Sequence, residues 1–207
     1  METKKDSTED KILEAAKNVF VAKGMEGARM QEIADEAGIN KALLHYYFRS
    51  KERLFEAIFG EIIKYAFPTL TRILQSDSAI TSKIEQFIDA YIDILRKHPF
   101  IPGFIMKELS RDPSGLFKFV AKFGLDPHPV FKNIQEAMDK GELIQMDPRH
   151  LAINVISMCV FPFAARPILS FVVFRDDKQA LETFYAERAE VIKKFVINAI
   201  VIKSNIS

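Results

Sequence analysis

Apolar residues recur along this chain at intervals of three and four, the period of one helix face, and no stretch alternates convincingly with the period of two that marks a strand. The first stripe is Ile12, Leu13, Ala16, Val19 and Phe20. Ser7 and Thr8 precede it with hydroxyls able to accept from free backbone N–H groups. Ser7 and Asp10 have capping-box spacing, although Asp is not its usual second member, and Gly24 ends the helix. A short helix is predicted from about Met30 to Ala37, then Gly38, then another from about Lys41 to Tyr47. Ser50 caps a fourth helix with the stripe Leu54, Ile58 and Ile62, which Pro68 should bend or break.

Beyond Pro68 the pattern predicts larger helices punctuated by prolines. One runs from about Ala79 to Arg96 and is closed by His98-Pro99. Pro102, Pro113 and the run Asp126-Pro127-His128-Pro129 divide the middle into short helices and turns. A helix over about Val130 to Lys140 stops at Gly141, and Asp147-Pro148 opens a long apolar segment. Leu151 to Phe174 is long enough to span a bilayer and carries one charge, Arg166. Pro162, Pro167, Asn154 and Ser157 and the absence of a flanking basic cluster favour a helix buried on nearly every side. The last helix runs from about Asp177 to Lys203. The fold class is all-α.

Composition narrows the function classes. Of 207 residues, 48% are hydrophobic and 28% charged, which excludes a wholly disordered chain. Lysine plus arginine minus aspartate plus glutamate is 29 − 28 = +1, so any surface for a polyanion must be local. The lone Cys159 forms no internal disulfide, and the start METKKDSTEDK lacks an apolar signal core, so a cytoplasmic protein with no membrane anchor is expected. Catalysis finds little to work with. His45, His98, His128 and His150 are scattered, no metal-ligand spacing or phosphate-cradling glycine loop occurs, and Cys159 reads as a buried inert thiol. No enzyme, cofactor or metal is expected.

The informative stretch is Ile33 to Phe48. Two short helices joined by a tight turn pack only if the residue facing the second helix is small, which Ala34 supplies, while Gly38 supplies a positive-φ turn. Ile33, Ala37, Ile39, Leu44 and Tyr47 or Phe48 face inward. Asn40 caps the second helix and leaves Lys41, Ala42, Leu43, His45 and Tyr46 near its exposed surface. That is a helix-turn-helix, whose second helix enters the major groove by its N-terminal end.

At these residues the chain resembles the TetR family of bacterial transcriptional repressors. Ile12-Leu13 to Phe20, Gly24, Ile33-Ala34, Ala37-Gly38-Ile39, Leu44, Tyr47-Phe48 and Ser50-Lys51-Glu52 carry the resemblance, over roughly Lys11 to Phe59. It implies a three-helix DNA-binding domain over 1–50, joined by a fourth helix to a helical ligand-binding and dimerisation domain over 51–207. It also implies DNA contacts from Arg29, Asn40, Lys41, Ala42, Leu43, His45, Tyr46, Tyr47 and Lys51. Arg29, Lys41 and Lys51 suit phosphates, Lys41 alternatively a guanine, Ala42 or Leu43 a thymine methyl, and Tyr46 or Tyr47 a phosphate oxygen.

Similarity to that family further implies a homodimer on a pseudo-palindromic operator. Its surface is expected on the helices about 149–165 and 177–203, where Leu181, Phe184, Tyr185, Arg188, Ile192, Phe195, Val196 and Ala199 form one stripe. A pocket for a small hydrophobic or amphipathic effector is expected from Phe104, Phe117, Phe123, Phe131, Asn154, Met158 and Phe161. The implied function is a ligand-responsive repressor. The alternative is an activator, or a DNA-binding protein regulated by a protein partner.

Overall fold

The computed structural model describes residues 7–121, 126 and 128–202, with the side chains of 108, 111, 116, 117, 119 and 120 outside the description. Helices form nearly all of it. Among the described residues the one extended pairing is a bridge between Leu143 and Val201.

Helix α1 (Thr8–Gly27) starts at the capping box that Ser7 and Asp10 predict. Ser7 Oγ accepts the Asp10 N–H at 3.1 Å, and the Asp10 carboxylate accepts the Ser7 N–H at 3.1 Å. Gly24 breaks the helical course at φ 68° and ψ 171°, and a final turn continues to Gly27. Helices α2 (Met30–Glu36) and α3 (Lys41–Tyr47) follow at the predicted positions. Helix α4 (Lys51–Gln75) is opened by Ser50, whose hydroxyl accepts the Arg53 N–H at 3.3 Å. The helix runs through Pro68 instead of ending there. Pro68 deprives only the Lys64 carbonyl of its donor, a single hydrogen bond lost on an exposed turn of a long helix.

The chain forms two compact units, Met1–Ala66 and Phe67–Ser207, so the division falls inside α4, beyond the boundary drawn at Ser50. In the first unit Ile12, Phe20, Ile33, Leu44, Leu54, Phe55 and Ile58 are wholly buried, and the Phe20 and Phe55 rings lie 5.6 Å apart.

The second unit contains α5 (Ile80–Lys97), α6 (Ile101–Arg111), α7 (Pro113–Ala121), α8 (His128–Asp139), α9 (Pro148–Ala164), a three-residue α10 (Arg166–Ile168), a π-helical turn (Leu169–Val173) and α11 (Lys178–Ile200). Its core unites Ile84, Ile88, Ile92 and Leu95 of α5 with Leu151, Val155 and Cys159 of α9 and Ile192 and Val196 of α11. Asp147 caps α9 by accepting the Arg149 N–H at 2.8 Å, and Asp177 caps α11 by accepting the Ala180 N–H at 3.0 Å.

Two expectations change here. The apolar segment 151–174 is not one buried helix: α9 and the stretch Arg166–Val173 are bent by 62° at Ala165, and Ile168, Phe171, Val172 and Val173 are exposed. No single helix among the described residues is long and apolar enough to cross a membrane. The α11 stripe read as one surface is two. Leu181, Tyr185, Ile192 and Val196 belong to the core of their own chain, whereas Phe195 and Ala199 face out, with Val191 outside the stripe beside them in exposure. The helix is apolar over a wider arc than one neighbour can cover.

The breaks in α9 leave backbone carbonyls that its own helix cannot satisfy. Pro162 has no N–H for the Met158 carbonyl four residues earlier, and the Pro162 carbonyl looks past the helix end. Helix α11 supplies both donors. Arg188 Nη2 donates to the Met158 carbonyl at 3.0 Å, and the Tyr185 hydroxyl donates to the Pro162 carbonyl at 2.8 Å in a buried setting. Replacing Tyr185 by Phe keeps the ring, which lies 4.8 Å from that of Phe163, and orphans the carbonyl. The expected loss is about 1–3 kcal/mol in urea unfolding, and an unchanged midpoint would show that the carbonyl finds another donor.

Candidate nucleic-acid interface

Helices α2 and α3 have seven residues each, too short to persist alone, so burial must hold them. Ile33 and Ala34 of α2 and Leu44 of α3 have no exposed surface, and Phe48 has 8%. Phe48 therefore fills the inward place that either it or Tyr47 was expected to take, and Tyr47 is 41% exposed. Ala37 and Ile39 are half-buried around the turn. Gly38 adopts φ +67°, as the turn requires, and its N–H donates to the Asp35 carbonyl while the Ile39 N–H donates to that of Ala34. A methyl group on Gly38 meets no atom within 4 Å, so its conformation alone demands glycine.

Asn40 fixes where α3 begins. Its Oδ1 accepts the Leu43 N–H at 2.8 Å, which commits the side chain to the helix start. Arg29 takes the equivalent place before α2 without a side-chain cap. Its N–H instead donates to the Glu32 carboxylate at 3.2 Å, and Lys23 Nζ donates to the same carboxylate at 2.9 Å. The Lys23 bond, together with the Arg29 N–H, holds the Glu32 carboxyl below its ordinary range.

Once Leu44 is buried, the helical period puts Lys41, Ala42, Leu43, His45 and Tyr46 on the outer side of α3, and all are exposed. Tyr46 is 81% exposed and meets Tyr47 edge-on, with ring centroids 5.6 Å apart at 87°. The His45 imidazole Nδ1 lies 3.3 Å from the Arg49 carbonyl. Lys51 at the head of α4 donates to the carbonyls of Ala28 at 3.3 Å and Glu26 at 3.4 Å, tying α4 to the end of α1 and leaving one ammonium proton to offer outward. Arg29, Lys41 and Arg49 are exposed, as are the two phenols, Ala42 and Leu43. Arg49 escaped the sequence reading because it follows α3 outside the helical stripe.

The expected effector residues are not gathered in the same way. Phe104 is buried on α6, Phe131 is half-buried on α8, and Met158 is half-buried against the core of the second unit. Asn154 and Phe161 are exposed, and Phe161 keeps 63% of its surface. They share the outer side of α9 with Ile153 and Ile156, because Leu151, Val155 and Cys159 take its inner side. Phe117 lies on α7 with its side chain outside the description, and Phe123 lies outside the described residues. Among the described residues no group of three His, Cys, Asp or Glu side chains can hold a metal ion.

Residues 12–58 match the family model described as bacterial regulatory proteins, tetR family. Over nearly its whole length the chain is similar to a Bacillus subtilis (strain 168) protein named "Probable HTH-type transcriptional regulator YttP", with 27% identity over 196 residues and 93% of each chain covered. It is 26% identical over 193 residues to the HTH-type transcriptional regulator RutR of Escherichia coli (strain K12), covering 91% of this chain and 88% of that one. Its fold is similar to that of the crystallised TetR-family regulator PfmR from Thermus thermophilus, with a TM-score of 0.67, 19% identity and coverage of 91% and 97%.

The turn and the cap are testable directly. Gly38→Ala places a side chain in the left-handed region and is expected to cost about 1–2 kcal/mol. Asn40→Ala is expected to cost about 1 kcal/mol. Chemical denaturation of the full chain measures both, and unchanged midpoints would refute the roles given to these residues.

Proposed function

Because this chain belongs to the TetR family of bacterial transcriptional regulators, DNA-binding proteins and not enzymes, we propose that it is a ligand-responsive repressor that holds a pseudo-palindromic operator as a homodimer in the cytoplasm. The observation that carries this reading is the exposed leading end of α3, where Lys41, Ala42 and Leu43 stand clear of a helix anchored by Leu44. A helix presented by its N-terminal turn fits the major groove, and its second copy reads a half-site about 34–36 Å away.

Within that reading Arg29 and Lys41 neutralise phosphates, and Lys51 gives its remaining proton to a third. Tyr46 and Tyr47 donate phenolic hydrogen bonds to the DNA backbone, and the His45 ring lies against it on the same side. Ala42 and Leu43 meet thymine methyl groups. Asn40 acts by holding the leading end of α3 in place. The helices up to Ser50 bear the DNA surface, and the remainder serves the ligand and the second copy.

The outer sides of α9 and α11 suit self-association. Ile153, Ile156 and Phe161 on α9 and Val191 and Phe195 on α11 are each at least 43% exposed. Five large apolar side chains on two neighbouring helices form a surface that water disfavours and that a second copy covers in a four-helix packing. The effector occupies the second unit, with Phe104, Phe117, Phe131 and Met158 contributing apolar surface. It acts by binding more tightly to a state whose recognition helices are wrongly spaced, which weakens DNA binding by the same factor that DNA weakens ligand binding.

Selection of bound fragments from genomic DNA is expected to return a recurrent pseudo-palindrome, and a set of fragments with no shared sequence overturns the reading. On that operator Lys41→Ala is expected to lower the salt dependence of log K by about one per subunit. Tyr46→Phe is expected to weaken binding several-fold, with melting temperatures unchanged in both variants. In sedimentation, Phe195→Asp is expected to turn dimer into monomer at micromolar concentration; an unaltered dimer places the interface elsewhere.

A further inference from the structure

Between α9 and α11 the chain carries an apolar turn that neither the core nor the DNA surface uses. Ile168, Phe171, Val172 and Val173 are each at least 59% exposed. Single apolar side chains in water are ordinary, but the largest contiguous apolar patch on a monomer covers about 300–600 Å². At roughly 100–150 Å² exposed per side chain, these four offer about 500 Å² within six consecutive residues. One short turn thus matches the largest patch of an ordinary monomer.

The turn is closed and anchored. The Phe174 N–H donates to the Leu169 carbonyl and the Asp176 N–H to that of Ser170, both at 2.9 Å. Leu169 and Phe174 are half-buried, and the Phe174 ring lies 5.3 Å from that of Phe184 on α11. Arg166 Nη2 donates to the Glu182 carboxylate of the same helix at 3.0 Å. Arg175 and Asp176 then take φ of 49° and 62°, a left-handed pair that side chains disfavour and that persists where the surroundings fix it. The four apolar side chains are held outward on a fixed surface, when a looser turn would let them fold back.

Charge and area decide what covers it. A lipid surface that takes up apolar side chains is also drawn to a basic rim. Here Arg166, Arg175 and Lys178 are matched by Asp176, Asp177 and Glu182, so the rim is neutral. A neutral apolar surface suits another of its own kind. The five apolar side chains on the outer sides of α9 and α11 offer about 600 Å² by the same measure, short of the roughly 800 Å² that a stable partner covers on each side. The turn joins those two helices and packs on α11. Adding it raises the apolar surface to about 1,100 Å², within the range of a stable pair.

We propose that the turn 168–173 is a second contact of the homodimer, covered by the other copy, and that the pair needs it to be stable. The inference rests on the reading that this chain works as a homodimer, and it adds a segment outside both helices of the interface.

Sedimentation equilibrium of the full chain tests it. Phe171→Asp is expected to raise the dimer dissociation constant about tenfold or more. The Phe171 side chain is 73% exposed, so the far-UV circular dichroism is expected to stay the same. Phe171→Cys reads the cover directly. The native Cys159 is fully buried with its thiol pushed up to about 12, so a maleimide reports the introduced thiol. Labelling is expected to slow about tenfold or more in the dimer and to recover on dilution to monomer. Unchanged dimer affinity in Phe171→Asp, equal labelling of dimer and monomer, or protection that survives in the monomer overturns the inference; in the last case the cover lies within one chain. Flotation with vesicles of phosphatidylglycerol and phosphatidylcholine that Phe171→Asp abolishes overturns it in favour of a membrane. Phe195→Asp separates the two readings. A dimer lost in Phe195→Asp and kept in Phe171→Asp counts against the turn alone. A dimer lost in Phe171→Asp and kept in Phe195→Asp counts against the interface on α9 and α11 and leaves the turn standing. A native chain that sediments only as monomer overturns both.

Discussion

Everything at the DNA surface depends on the burial of three side chains, Ile33, Ala34 and Leu44. Seven residues form barely two turns, and such helices are marginal in water because nucleation costs more than their few hydrogen bonds return. Packing replaces that missing stability. Ala34 has no exposed surface, and its small size lets the second helix approach across the Gly38 turn. With Leu44 buried, helical geometry sends Lys41, Ala42, Leu43 and Tyr46 to the opposite side. The same contact that stabilises the motif aims its reading surface.

The second unit meets a different demand, the satisfaction of broken backbone. Pro162 and the bend at Ala165 leave carbonyls on α9 without intrahelical donors, and α11 answers with Tyr185 and Arg188, three residues apart on one side. That arrangement locks the two helices in register with each other. It also explains how α11 uses its wide apolar arc: the side bearing Leu181, Tyr185, Ile192 and Val196 turns inward, and the side bearing Val191 and Phe195 is left for another surface. Among the described residues the Arg188 Nε is the one sealed side-chain donor left without an acceptor.

The chain itself dictated much of the first unit. The Ser7–Asp10 box, the glycines at 24 and 38, the Asn40 and Ser50 caps and the bounds of α3 all follow from local chemistry. Each depends on residues within four positions of one another, and the structure has them as read. The helical class of the remainder was equally legible from the three-and-four spacing of its apolar residues. Tertiary structure decided what spacing leaves open. It continued α4 through Pro68 because Lys64 is exposed, chose Phe48 over Tyr47 as the inward ring, and bent the 151–174 segment instead of burying it. It divided the α11 stripe between core and surface and turned Asn154 and Phe161 outward. It engaged Asn40 and Lys51 within the fold and left the Arg188 Nε without an acceptor. The reason is one of range. Caps, turns and periodicity are set by neighbours along the chain. Which of two apolar sides is covered, and which donor finds an acceptor, depends on residues tens of positions away that meet only when the helices pack.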